Sequence, residues 1–470
     1  MPAELPPPRE PHRILHKLGA LAAAHAVREL LQAAFLILLA RRQMITYGQF
    51  MLALGMGQIL LLFAEFGLNQ HTICRLARQS DGEAHTLWQV TWAKSFLLAI
   101  GSSAMWLFIL HQNYGRPLGG IILLLAAGLG LEALTSTFFT LGQWRGMQGR
   151  EALVRSLAAA AGFGYGLAAL FLDLPPVALA WYKPIESLVS LAGAACLMGR
   201  PPPSGGFKVT ALSATLRGSL VFALIQLTAI VYNKANLFFL QRHAGAEGVA
   251  QYSATWQIVD GVTNLVCGLL LGRILFPLFA RLLKNDERAA EAMARNAARW
   301  LAPLALILVY VLVRWSDRII SLVYGPAYGP AARMQNWLAI SVVLGLFHNL
   351  AAYLMMSLDR QGRLLAICAT GMILNLVLCA LWVPAHPLGG SVAALLATKG
   401  LVALYTVGFC HRRLGLFRVR PLLEVGAMVA AGAVVFFALG AMGLGTAAEY
   451  AAPAPLLLLV LRWRQSSRNV

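Results

Sequence analysis

The fold class this sequence predicts is an all-α polytopic membrane protein. It has two pseudo-symmetric six-helix bundles plus two C-terminal helices, about 14 transmembrane spans, with both termini cytoplasmic. Three observations predict it. Apolar residues make up 59% of the 470 and charged residues 12%, where soluble domains run at ~45–50% and ~25%. The apolar residues fall in runs close to the ~20 that cross ~30 Å of hydrocarbon as a helix. Short segments of the first half also return, in order, in the second.

In chain order, residues 1–17 (MPAELPPPREPHRILHK) are a Pro-rich cytoplasmic tail. The apolar stretch after it is too long, and with His25, Arg28 and Glu29 too polar, for a signal peptide. An N-lobe, 18–198, carries spans Leu18–Ala40, Gly48–Leu68, Trp88–Leu110, Leu118–Leu141, Ala152–Leu172 and Val177–Met198. A cytoplasmic linker, 199–215, opens with GRPPPSGGFK, a composition that ends helices. The C-lobe, 216–410, carries Leu216–Leu240, Tyr252–Phe279, Ala297–Val313, Asn336–Leu358, Leu364–Val383 and Gly389–Cys410. A basic cytoplasmic loop, 411–424, leads to spans 13 and 14 within 425–461, Val425–Leu444 and Ala447–Leu461, the latter interrupted by Pro453 and Pro455. Residues 462–470 are a basic C-terminal tail.

Basic residues orient the spans. The expected cytoplasmic segments and their flanks hold 25 of the 38 Lys and Arg. The opposite loops hold seven (Arg41, Arg42, Arg116, Arg242, Arg314, Arg318, Arg333), and six lie deep in spans. This is the positive-inside pattern. It accounts for the formal charge of +19, so nucleic acid is not expected as a partner.

The six cysteines (Cys74, Cys196, Cys267, Cys368, Cys379, Cys410) are scattered without a CxxC and read as small apolar residues. G-x-x-x-x-G-K-[ST], G-x-S-x-G and H-E-x-x-H are all missing. The loops are too short for a soluble catalytic domain. No enzyme activity, cofactor or metal is therefore expected.

The internal repeat rests on three matches. QGREALVRSLAAAAGFG from Gln148 pairs with QGRLLAICATGMILNLV from Gln361, ALAWYKP from Ala178 with ALLATKG from Ala394, and YGQF with VAQY about Gln49 and Gln251. The offsets are 213, 216 and 202. Six spans is an even number, so both lobes keep one orientation. That predicts parallel repeats with a substrate path between them.

Charge at lipid depth costs at least ~2.5–3.5 kcal/mol unless it faces protein or water, so such residues are site candidates. The basic set is Arg28, Lys94, Lys183, Lys234, Arg273 and Lys399, and the acidic set is Glu29, Glu65, Glu132, Glu186 and Asp260. Lys183 and Lys399 share one column of the repeat, and Lys234 falls on Gln32, one turn from Arg28. Cations from both lobes around one lumen would bind an anion, with Arg28 and Lys234 leading. A plainer reading pairs Lys183 with Glu186, three residues on along the same helix face, and lets Lys94 and Arg273 snorkel to the cytoplasmic surface. Asp260, matched to Gln58, and Glu29 are candidates for a coupling ion or proton. Gln32, Asn233 and Asn236 are candidate sugar contacts, though helix–helix hydrogen bonds explain such residues equally well. Glu65, just before Gly67, reads as packing or a hinge, and His25 and His348 as packing.

Four stretches carry a family resemblance: TYGQFMLALGMGQILLLFAEFGLNQHTICRLAR (Thr46–Arg78), GAEGVAQYSATWQIVDGVTNLVCGLLLGRILFPLFARL (Gly245–Leu282), LVYGPAYGPAARMQ (Leu322–Gln335) and GMILNLVLCALWVPAHPLGGSVAALLATKG (Gly371–Gly400). They resemble the Wzx-type polysaccharide and O-antigen flippases of the multidrug/oligosaccharidyl-lipid/polysaccharide exporter superfamily, over most of 15–415. The resemblance implies alternating access between two bundles. It also implies transport of an undecaprenyl-pyrophosphate-linked oligosaccharide, an O-antigen or exopolysaccharide repeat unit, to the periplasmic leaflet of a bacterial inner membrane. The partners implied are that glycan, the bilayer, and a polysaccharide polymerase or glycosyltransferase complex. A cationic path suits a pyrophosphate, whose charge must be paired once water is removed. Two relatives stand as alternatives. Lipid II flippases of peptidoglycan synthesis also have fourteen spans and a cationic cavity, but their first-helix arginine pattern is not seen in LGALAAAHAVRELLQAAF. Cation-coupled multidrug exporters rely on acidic residues in the first bundle, where this chain has Glu29 beside Arg28.

Overall fold

The computed structural model describes residues 11–69, 72, 83–198 and 209–466. Among them the regular elements are all helical, and eleven helical stretches are long and apolar enough to cross a membrane, one of them the 57-residue Leu216–Gly272 that Gly245 divides. Large apolar side chains face outward, Leu107 at 64%, Leu404 at 70% and Phe437 at 73% exposure, as lipid-facing helices require. The chain is a multi-pass membrane protein. Most of the expected tail 1–17, linker residues 199–208 and residues 467–470 lie outside the described residues. Contacts divide the chain into two compact units, Met1–Gln241 and Arg242–Val470.

Unit 1 holds α1 (Pro11–Arg42), α2 (Met44–Glu65), α3 (Glu83–His111), α4 (Arg116–Trp144), α5 (Gln148–Phe171) and α6 (Tyr182–Met198). Helix α1 starts at Pro11, so residues 11–17 are helical rather than tail. The stretch Val209–Val266 breaks at Gly245, φ 64°, ψ −167°, a conformation open to glycine because it lacks a Cβ. It separates α7 (209–244) from α8 (246–266). The compact unit runs past the expected lobe boundary at 199–215 because α7 packs along α2. A Cβ on Gly67 would lie 3.4 Å from Ser219 Cβ, and one on Gly55 3.0 Å from Leu237 Cδ1. Phe238 also meets Phe108 of α3 edge-on at 5.7 Å.

Helix α6 packs on both α4 and α5, α1 on α5, and α2 on α4. Two glycines set the approach of α6. A Cβ on Gly128 would sit 2.8 Å from Lys183 Cγ and 2.9 Å from the Pro184 nitrogen, and one on Gly162 2.8 Å from Glu186 Cβ. Small residues permit this close helix crossing in a membrane. Gly162→Val is therefore expected to push α6 away and cost ~1–3 kcal/mol, as overpacking does. A fall in the thermal midpoint in detergent checks this; an unchanged midpoint would mean that the crossing is loose.

Unit 2 continues α8 through a π-helical stretch, Cys267–Leu275, into α9 (Phe276–Asn285). Then come α10 (Glu287–Arg314), α11 (Ser316–Tyr324), α12 (Gly329–Leu338), α13 (Ile340–Ser357), α14 (Gln361–Trp382), α15 (Pro387–Leu414), α16 (Val419–Ala441), α17 (Gly445–Ala451) and α18 (Ala454–Ser466). Helix α15 packs on α13 and α14, as α6 packs on the two helices before it. Helix α10 begins ten residues before the expected ninth span, capped by Asp286, whose carboxylate accepts from the Ala289 N–H at 3.0 Å. Three expected spans take another form. The sixth is the 17-residue α6 after a short turn, Pro176–Leu179; the tenth is divided between α12 and α13; the last is divided at Pro453 into α17 and α18. The C-terminal helices are pinned to α10 and α11 at one end by Glu449, which pairs with Arg314 and with Arg318 at 3.4 Å and accepts from Trp315 Nε1 at 3.2 Å. At the other end Trp463 donates to Glu424 Oε2 at 2.8 Å.

Candidate functional site

Four of the deep charges of unit 1 close into a ring. Arg28 of α1 reaches Glu132 of α4 through Nη2 at 2.6 Å and Glu186 of α6 through Nε at 2.8 Å. Lys183 of α6 touches the same two carboxylates, at 3.1 Å and 3.0 Å. Two cations thus alternate with two anions, and three helices are tied together. The periodicity explains the convergence, since Lys183 and Glu186 are three apart and face one way from α6, held there by Gly128 and Gly162. Lys183 is 1% exposed, whereas Glu132 keeps 22%, so the ring is reached from the Glu132 side. An aromatic floor of Phe35, Phe50 and Tyr182 lies beside it, with Phe35 and Tyr182 centroids 4.6 Å apart and Phe50 and Tyr182 6.1 Å apart.

The arrangement differs from a bare cationic surface. Arg28 and Lys183 are neutralised within their own bundle, because a cation buried without a partner costs several kcal/mol. The pairing of Lys183 with Glu186 is the plainer of the two sequence readings. Next to the ring lies a cavity of about 80 Å³, walled by Arg28, Glu65, Glu132, Ser136, Arg155 and Glu186, with room for a few waters. Arg155 pairs with the buried Glu151 at 2.9 Å and lies over the Phe139 ring at 4.1 Å.

Lys94 does not snorkel. It is 0% exposed, and its ammonium donates to Asn69 Oδ1 at 2.6 Å, Ser136 Oγ at 2.7 Å and the Ala133 carbonyl at 2.9 Å. Asn69 in turn donates to Glu65 at 3.0 Å. Lys94 thereby joins the end of α2 to α4. Arg155, Ser136, Asn69 and Glu151 were not singled out from sequence. Ser136 had a signal, lying four residues after Glu132 on the same helix face.

The remaining candidates lie on α1, α7, α8, α13, α15 and the π-helical stretch. Lys234 is half-buried on α7, and a Cβ on Gly55 would lie 3.8 Å from its Cδ. On the same helix Asn233 donates to the Ala229 carbonyl at 2.9 Å, and Asn236 is fully buried. Gln32 is half-buried and Glu29 exposed. In unit 2, Lys399 of α15 holds its ammonium 4.4 Å from the Trp256 ring centroid, a cation–π contact. Asp260 accepts from Asn264 at 2.9 Å. His348 meets Thr406 at 3.2 Å, linking α13 to α15. The side chain of Arg273 lies outside the described residues.

Comparison with known proteins adds to this geometry. Residues 43–333 match the sequence profile of a family described as polysaccharide biosynthesis protein. No curated protein matches the chain by sequence. Among solved structures the fold is similar to that of the lipid II flippase MurJ in an inward-closed conformation, with TM-score 0.70 and 10% identity over 94% of this chain and 98% of that one. It is also similar to an inward-facing multidrug resistance MATE family transporter of the MOP superfamily, with TM-score 0.64 and 16% identity over 83% and 94%. A MOP superfamily transporter from Pyrococcus furiosus has TM-score 0.56 and 16% identity over 85% and 95%. At such identities the shared property is the fold.

Proposed function

The chain belongs to the polysaccharide biosynthesis protein family, and from that premise we propose that it is a flippase. Its cargo is an undecaprenyl-pyrophosphate-linked oligosaccharide, an O-antigen or exopolysaccharide repeat unit, carried to the periplasmic leaflet of a bacterial inner membrane by alternating access. The observation that carries this reading is the family match, which runs from α2 to α12. In this reading the short and divided helices complete fourteen spans, with both termini cytoplasmic.

The charged ring is the proposed site for the diphosphate. Glu132 and Glu186 hold places that phosphate oxygens take when cargo arrives. The cations then exchange one set of anionic oxygens for another, while the displaced Glu132 and Glu186 carboxylates turn to water in the adjoining cavity or take up protons, so that no buried charge is left unpaired. Lys234 and Lys399 are proposed to extend the cationic path. Gln32, Asn233 and Asn236 are proposed to bond sugar hydroxyls, and Glu29 or Asp260 to carry a coupling ion. Lys94, with all three protons already donated, is assigned to holding α2 against α4.

A second reading, a lipid II flippase, is favoured by one observation. The match to MurJ covers 94% of the chain and that to the MATE transporter 83%, a difference of about the length of α16–α18. Depletion in the native cell separates the two. Loss of surface glycan with growth intact and lipid-linked repeat units held inside supports the first; lysis with accumulated lipid II supports the second. Normal surface glycan and normal growth would overturn both.

A further inference from the structure

A second group of cations, separate from the ring, lies in unit 2 where α10, α16 and α18 meet residues 415–418. A cavity of about 240 Å³ there has Arg295, Arg299 and Arg418 in its wall, with Phe417, Leu422 and Trp463 as apolar lining. The Arg299 guanidinium lies over the Trp463 ring at 4.0 Å, and its Nε is buried with no hydrogen-bond partner among the described residues. Arg295 divides Nη1 between Glu291 and the Leu414 carbonyl, both at 3.3 Å. Arg418 immediately precedes the first turn of α16, which has no side-chain cap, so open backbone N–H groups and the positive end of the helix dipole add to the arginines.

The nearby carboxylates are already engaged. Glu291 pairs with Arg295, and Glu424 accepts from Trp463 Nε1 at 2.8 Å and from Arg420 at 3.3 Å. Neither Arg299 nor Arg418 has a carboxylate within 4 Å among the described residues. A buried guanidinium N–H without an acceptor is a cost the fold would not keep unless something supplies one. An anion with several oxygens would satisfy that N–H together with Arg295 and Arg418, and it would meet an apolar neighbour, because Leu422 and Leu423 beside the cavity are 48% and 67% exposed. Phosphate has this chemistry. A basic pocket between membrane helices at their ends, flanked by lipid-facing leucines, suits a lipid that carries it.

We propose that this cavity binds the phosphate of an anionic phospholipid headgroup, clasping α16 and α18 to α10. The site belongs to unit 2 and shares no residue with the diphosphate ring of unit 1, so it does not depend on the cargo. The test is native mass spectrometry of the full chain released from phosphatidylcholine bilayers containing phosphatidylglycerol. Wild type is expected to retain phosphatidylglycerol in preference to phosphatidylcholine. Arg418→Gln, at an exposed position where folding is not at stake, should weaken retention about fivefold, and adding Arg299→Gln about fivefold more. Arg412→Gln, exposed nearby but outside the cavity, should leave retention unchanged. Absence of preference, or equal loss from Arg412→Gln, would overturn the site. Displacement of the lipid by millimolar inorganic phosphate would assign the site to free phosphate and overturn the lipid.

Discussion

Glu132→Ala is expected to cost unit 1 about 3–5 kcal/mol, the range for removing one partner of a buried ion pair. Glu132 touches Arg28 at 2.6 Å and Lys183 at 3.1 Å, so its loss leaves two cations sharing Glu186 alone. The 22% exposure of the Glu132 side chain admits water and places the effect toward the lower end of that range. Neutralising the whole ring with apolar residues, by Arg28→Leu, Glu132→Leu, Lys183→Met and Glu186→Leu together, should restore most of the stability. Networks replaced as a unit by neutral residues of similar size leave no bare charge. Thermal midpoints in detergent check both, and a Glu132→Ala midpoint equal to wild type would show that the ring does not hold the bundle.

The second large effect concerns transport. The neutral-ring variant folds yet lacks both cations that exchange carboxylate for phosphate. Charge-assisted hydrogen bonds contribute ~1.5–3 kcal/mol each, so losing two should slow cargo movement by about 100-fold or more. The readout is surface glycan in cells whose only copy is the variant, at matched protein level. Wild-type glycan would remove the ring from the transport path.

Much of the helical architecture was legible because hydrophobic length is a local property. Runs of about 20 apolar residues mark spans whatever they pack against, and α2, α4, α14 and α15 lie where those runs lie. The departures come from information held outside the run. The start of α10 at Glu287 depends on a cap from Asp286 and an Ala-rich stretch that hydropathy reads as loop. The grouping of α7 with unit 1 depends on Gly55 and Gly67 meeting Leu237 and Ser219, contacts between segments more than 150 residues apart.

The candidate site was legible by residue type and less so by partner. Buried charge singled out Arg28, Lys183, Glu132 and Glu186, and helical spacing gave the Lys183–Glu186 pair. That Arg28 of α1 would share both carboxylates with Lys183 follows from where α1, α4 and α6 cross, which no single helix encodes. Lys94 read as surface-reaching because its three acceptors, Asn69, Ala133 and Ser136, lie on other segments. Arg155 and Glu151 sit at the edge of a span, where charge is ordinary and carries no signal.

The most direct measurement is the binding of a water-soluble, short-chain prenyl pyrophosphate to wild type and to the neutral-ring variant, by calorimetric titration in detergent. Saturable binding to wild type, weakened about 100-fold in the folded variant, is the expected result. Equal affinity for the two proteins would contradict the assignment of the diphosphate to Arg28 and Lys183.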